Sequence, residues 1–254
     1  MARPPVEWPI PAYVLEYRER TLITFRAPLR RLGAQVAAPV LPETVAGHGL
    51  VSLCLSNGRC LKSVGGIPVL ATEFRTAEVV TPVRWQAACR AALKGLYSLR
   101  FATGAHGLAR LARTALALDA ELTDSCPRST APRVQPEVAW PHESVFAGAE
   151  EAEAQLLHPE WFFAPDRDGR HVRAVPVHYY ARATTQVQPL ALCAEFVAEA
   201  LRCDVKELEL DHAVLQRRCT HTYHFPPETI VCSRPVEAPF RTWPRPSRVP
   251  VLAA

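Results

Sequence analysis

The sequence predicts an α+β domain made mostly of antiparallel strands, a β-cone or barrel with a few short packed helices. Two patterns lead there: β-branched and aromatic runs recur along the chain between turn-forming residues, and helical spacing is confined to short stretches. No internal repeat divides the 254 residues. The whole span 1–254 is therefore read as one domain, with proline-rich extended arms at about 1–12 and 235–254.

From Arg20, the text Thr-Leu-Ile-Thr-Phe-Arg-Ala reads as a strand, followed by a short helix over 29–36 that ends before Pro39. A second strand is expected over 50–55, and Asn57-Gly58 has the composition of a hairpin turn. Val79–Val83 and Gly95–Phe101 read as further strands of one sheet. Between 105 and 118, Leu108, Leu111, Ala112 and Ala115 recur at helical spacing.

Residues 124–141 are rich in turn formers and are expected to loop over the surface, ahead of a short acidic helix near 149–157. A hairpin turning at Asp166-Arg167-Asp168-Gly169 leads into an alternating strand from Val172 to Tyr180. The segment 190–202 carries Leu192, Phe196, Val197 and Leu201 on one helical face. Two strands, interrupted by Phe225-Pro226-Pro227, fill 213–231.

Composition narrows the function classes. Hydrophobic residues make up 48 % and charged residues 21 % with a net charge of +4, the balance of a globular chain. Arginine supplies nearly all the positive charge, lysine occurring only at 62, 94 and 206. Arg18/Arg20 and Arg30/Arg31 are interleaved with acidic residues and no aromatic-studded basic stripe forms, which argues against a nucleic-acid partner.

The eight cysteines include no C-x-x-C pair, so buried reduced thiols are expected rather than a zinc knuckle or redox motif. Cys219 and His221 share a strand face, and His178 or His224 could join them, but two ligands do not make a metal site. Neither a metal nor a cofactor is expected. The start of the sequence has no signal-like apolar run and no stretch approaches the ~20 apolar residues of a membrane helix. Cytoplasmic residence without a membrane partner is the resulting expectation.

Three stretches, in order, resemble the acetoacetate decarboxylase-like superfamily. Tyr17-Arg18-Glu19-Arg20-Thr21-Leu22-Ile23-Thr24-Phe25-Arg26 with Leu41-Pro42-Glu43 is similar to the family's opening motif. Phe74–Val83, then Gly95-Leu96-Tyr97 and on to Arg113, resembles its central motifs. Val205-Lys206-Glu207-Leu208 through His212 to Phe225–Val231 resembles its C-terminal motif, and Pro159–Gly169 looks like its hairpin. The resemblance implies a cone-shaped barrel with a central cavity, self-association into a homo-oligomer, and Arg18 and Glu78 lining the active site. By the same resemblance Arg113, Tyr97, Glu121 and His212 would contact substrate.

The family's catalytic lysine follows its arginine motif by a short interval. Counted from Arg113, that interval falls on Ala120-Glu121, where there is no lysine. The resemblance is thus to the bacterial branch that keeps the barrel without the lysine. Alanine cannot form the iminium that serves as electron sink in decarboxylation of a β-keto acid. Glu121 would raise, not lower, the pKa of a nearby amine. Lys94 reads as a turn residue just ahead of a strand, and Lys62 and Lys206 as turn or loop residues.

Glu78, flanked by Val79 and Val80, reads either as a cavity acid/base or as an edge-strand glutamate in water. Arg18 reads either as a bidentate carboxylate clamp or as one half of a surface ion pair with Glu16 or Glu19. The resemblance favours the cavity for both. The expectation is an enzyme acting on a small carbonyl or carboxylate compound by acid/base chemistry of lyase, hydratase or cyclisation type, without an imine. Its rivals are a non-catalytic sensor or carrier using the same cavity, and a structural subunit whose barrel is filled by large side chains.

Overall fold

A computed structural model describes residues 11–45, 47–64, 67–85, 92–113, 118, 120–123, 155–156, 159–165, 172–180, 188–189, 219–225, 228–233 and 236–237. Strand β1 runs over Pro11–Ala27, and a short helix α1 (Leu29–Gln35) leads to β2 (Val40–Pro42) and β3 (Thr44–Val45). Long strands β4 (His48–Val64) and β5 (Ile67–Trp85) follow, then β6 (Leu93–Thr103), helix α2 (His106–Leu111) and β7 (Ala120–Leu122). The later strands are β8 (Trp161–Pro165), β9 (Val172–Tyr180), β10 (Gln188–Pro189), β11 (Cys219–Phe225), β12 (Glu228–Ser233) and β13 (Val236–Glu237). This is the mostly antiparallel sheet with short helices that the sequence predicts.

Followed pair by pair, the ladders return to their start: β1–β12–β9–β8–β6–β5–β4 and back to β1. Only β6–β7 and β6–β8 are parallel. One face of this circuit gathers Tyr17 of β1, Cys60 of β4, Phe74 of β5, Phe101 of β6 and Val175 and Val177 of β9 into a single apolar cluster. Side chains from strands all round the circuit meet only if that face points inward. Helix α2 adds Leu108, Ala109 and Leu111 to this cluster, which is why its apolar residues recur at helical spacing.

A second inner cluster holds Leu22, Val45, Leu50, Cys54, Val80, Leu96 and Leu156, and Phe162 packs against both. The outer face is covered by α1, β2, β8 and β9, where Val83, Tyr97, Trp161 and Phe163 pack together.

Strand lengths depart from the expectation in an instructive way. Asn57-Gly58 does not turn the chain but sits mid-strand in β4, Gly58 opposite both Tyr17 and Phe74. The glycine is there for close approach: a Cβ on it would meet the backbone oxygen of Glu16 at 2.2 Å. Lys94 lies within β6, paired with Arg84, rather than in a turn before the strand. The strands β8 and β9 pair antiparallel as the expected hairpin, and β11 and β12 flank the Pro226-Pro227 break. The expected loop at 124–141 and helix at 190–202 lie outside the described residues, as does most of the expected helix near 149–157.

Val236–Glu237, expected in the C-terminal arm, pairs with Arg173 and Ala174 of β9. Among the described residues no helix is long and apolar enough to cross a membrane. Cys54 and Cys60 are free and buried, and burial pushes the Cys60 thiol up to about 12.

Candidate functional site

Three rows of paired residues cross β1, β4, β5 and β6 on the inner face. Arg20, Ser56, Thr76 and Thr103 form one row, Leu22, Cys54, Glu78 and Phe101 the next, and Thr24, Ser52, Val80 and Ser98 the third. Directly paired residues project to the same side of a sheet, so the rows form a polar belt between the two apolar clusters. Ser56 and Thr76 share a hydrogen bond of 2.5 Å, and Thr24 and Ser52 one of 2.9 Å. These pairs satisfy hydroxyls that would otherwise destabilise the interior.

A β-bulge completes the belt. Val79 pairs with Arg100 but Val80 with Ser98, leaving Leu99 as an extra residue in β6. Strict alternation would set Leu99 opposite Val80; the bulge instead brings Ser98 onto the inner face. There it hydrogen-bonds the Glu78 carboxyl.

Glu78 is the chemically distinctive group. Burial pushes its carboxyl from 4.5 up to about 7, against the opposing pull of the Ser98 hydrogen bond and the Arg20 charge. Arg20 is 4 % exposed, with its guanidinium 5.8 Å from the centre of the Tyr17 ring. A carboxyl titrating near neutrality, beside a fixed cation and a hydroxyl donor, can both accept and return a proton at physiological pH.

The other residues singled out in the sequence lie elsewhere. Arg18 is the extra residue of a second bulge, since Tyr17 pairs with Gly58 and Glu19 with Asn57. Its side chain is exposed and bonded to Glu73 at 2.7 Å, at the mouth of an open depression of about 590 Å³ that Asn57 and Arg75 also line. The arginine beside Glu78 is Arg20, two residues on. Tyr97 is buried on the opposite face of the sheet, where its hydroxyl accepts a hydrogen bond from the Ala37 amide at 3.2 Å.

Arg113 is exposed and its Nε donates to the Ala120 carbonyl at 2.9 Å, tying the end of α2 to β7. Glu121 is exposed and accepts from Nε of Arg100 at 3.0 Å. Ala120 itself is buried in the first inner cluster, paired with Phe101. His212 lies outside the described residues, as do the side chains of Cys219, His221, His178 and His224. Sequence reasoning missed Arg20 and Ser98. Arg20-x-Leu22-x-Thr24 carried the inward alternation, but two bulges shifted the phase on either side of it.

This placement separates the two arginines experimentally. Arg18→Ala is expected to change stability by no more than about 0.5 kcal/mol, as for other exposed pairs. Arg20→Ala is expected to destabilise by about 2 kcal/mol or more at pH 8, because the Glu78 carboxylate loses its buried counter-charge, and by less at pH 5, where Glu78 is protonated. Urea unfolding at the two pH values measures both; equal losses for the two variants would place both arginines at the surface.

No family model matches the sequence, and no curated protein does. Solved structures do. The chain is similar to acetoacetate decarboxylase from Legionella pneumophila, at 12 % identity and a TM-score of 0.49, over 94 % of this chain and 92 % of that one. An acetoacetate decarboxylase-like enzyme from Sphingomonas wittichii is similar at 11 % identity and a TM-score of 0.48, over 89 % and 92 % of the two chains. The enduracididine biosynthesis enzyme MppR is similar at 7 % identity and 0.48, over 91 % and 88 %.

Proposed function

We propose that this protein is an enzyme that uses Glu78 as a general acid and base on a small carbonyl or carboxylate compound held inside the strand circuit. The observation that carries this reading is the position of Glu78: on the inner face, titrating near neutrality, with Ser98 and Arg20 as its two electrostatic partners. In its carboxylate form Glu78 would take a proton from carbon next to a carbonyl, and in its acid form return it. Arg20 would stabilise negative charge developing on the substrate oxygen. The ordinary substrate-anchoring role expected of Arg18 passes to Arg20 in this reading.

The reaction proceeds without a Schiff base. Supporting this, Ala120, which stands where the resemblance sets the catalytic lysine, is buried among apolar side chains, and Lys94 is held in the β6 ladder. A lyase, hydratase or cyclisation step fits a single carboxyl poised between its two protonation states.

The test is proton exchange. The protein is incubated in D2O with a panel of 2-oxo and 3-oxo acids, and loss of signal from the carbon-bound protons is followed by NMR. At least one acid should exchange at a rate that Glu78→Gln lowers by about 10²-fold or more, the range typical of a lost acid/base group. Borohydride added to the same mixtures should leave no adduct. An adduct on Lys94, or exchange unaffected by Glu78→Gln, would overturn the reading. Ligands that bind equally well to Glu78→Gln and return unchanged would mark a sensor or carrier instead.

A further inference from the structure

Nε of Arg26, Oε1 of Glu43 and both amide atoms of Gln155 are shut off from solvent with no hydrogen-bond partner. Each such atom costs about 1–3 kcal/mol if it stays unpaired, and folded proteins contain few of them. These border one region. Arg26 pairs with Leu50 in the β1–β4 ladder. The Glu43 amide donates to the Pro82 carbonyl at 2.9 Å, and Pro82 pairs with Leu96. Gln155 precedes Leu156 in the chain. Leu50, Leu96 and Leu156 all belong to the second inner cluster.

Register also brings the two charges to the same stretch of sheet. Thr44 pairs with Gly49, so one further step along β3 sets Glu43 across β4 from Leu50, whose other neighbour is Arg26. Their backbones then stand about 10 Å apart, two strand spacings, too far for direct backbone contact but suited to side chains converging on something between them. No ion pair joins Arg26 and Glu43 among the described residues. The region therefore offers a cationic donor, an anionic acceptor and an amide that can do both, above an apolar floor.

We infer that this lobe of the interior binds a small zwitterion of the α-amino-acid class, its carboxylate on Arg26, its ammonium on Glu43 and its aliphatic part against Leu50 and Leu156. Gln155 supplies one donor and one acceptor to the same head group. A water molecule could satisfy the amide but has no charge to offer Arg26 and Glu43 together. This inference rests on the reading that the interior is the ligand site, and adds to it the charge pattern of the ligand.

The test compares L-alanine, L-valine and L-leucine with the matching 2-hydroxy acids, which lack the ammonium, and with the matching amines, which lack the carboxylate. Calorimetry and thermal unfolding of the full chain read the outcome. At least one amino acid should bind tenfold or more tighter than both of its analogues, and Glu43→Gln should weaken it by tenfold or more. Gln155→Leu should abolish the ligand-induced rise in Tm while raising the Tm of the ligand-free protein, because it removes a buried, unpaired amide.

Hydroxy acids binding as tightly as amino acids, no binding by any amino acid, unchanged affinity in Glu43→Gln, or a lower Tm for Gln155→Leu would each overturn the inference. None of these variants touches Glu78. Deuterium exchange that survives such a result leaves the acid/base reading standing, and amino-acid binding without exchange would overturn that reading alone.

Discussion

Between about pH 4.5 and 7 the wild-type protein should lose stability that Glu78→Gln keeps. The sign follows from where the proton is bound. In the unfolded chain Glu78 releases its proton near its ordinary value of 4.5, whereas burial in the folded protein delays release to about 7. In that window the folded state binds more protons than the unfolded one, so each rise in pH favours unfolding. The stabilisation present below pH 4.5 is lost as pH climbs through 7, and above that no more is lost.

The full difference is at most about 3 kcal/mol, and the partial access of Glu78 to solvent brings it toward about 2. Glutamine carries no proton to exchange and removes this contribution without changing side-chain size. Urea midpoints for both proteins from pH 4 to 8, with other carboxylates common to both, isolate it as the difference between two curves. Parallel curves would mean that Glu78 is solvated like any surface carboxylate. Arg20→Gln provides the converse check: with the cation gone, the upper end of the window should move above 7.

Gly95→Ala should destabilise the fold by about 3 kcal/mol or more, the upper end of what overpacking costs. A Cβ at this position would stand 2.1 Å from the backbone oxygen of Trp161 and 2.8 Å from its carbonyl carbon. Backbone cannot rotate aside as a flexible side chain would. The clash falls beside the short ladder in which Leu96 and Tyr97 pair with Phe162 and Phe163, the step by which β8 joins the circuit. Separating those strands also disturbs Tyr97, Trp161 and Phe163 in the outer cluster.

Gly33→Ala is the control. Gly33 lies within α1, with nothing within 4 Å of an added Cβ, so alanine should stabilise by up to about 1 kcal/mol through helix propensity. Chemical denaturation of both variants tests the pair, and a Gly95→Ala protein as stable as wild type would show that β6 and β8 do not approach as described.

The sequence by itself determined the class of the fold and much of its element order. Val172–Tyr180 alternates because one face of β9 packs on the inner cluster, and the spacing of Leu108, Leu111 and Ala112 places α2 against the same interior. It also singled out Glu78, because a glutamate set among valines on a strand is out of keeping with its neighbours. What the tertiary structure alone decided was which partners Glu78 meets. Period-two alternation is a local rule, and a single bulge residue reverses it: one at Arg18 turns that arginine out to Glu73, one at Leu99 brings Ser98 in. Bulges form where two strands must accommodate each other's twist, a property of the pair that neither strand's residues carry alone. For the same reason Asn57-Gly58 has the composition of a turn yet lies in mid-strand, its glycine required by the backbone of β1 and not by any change of direction in its own chain.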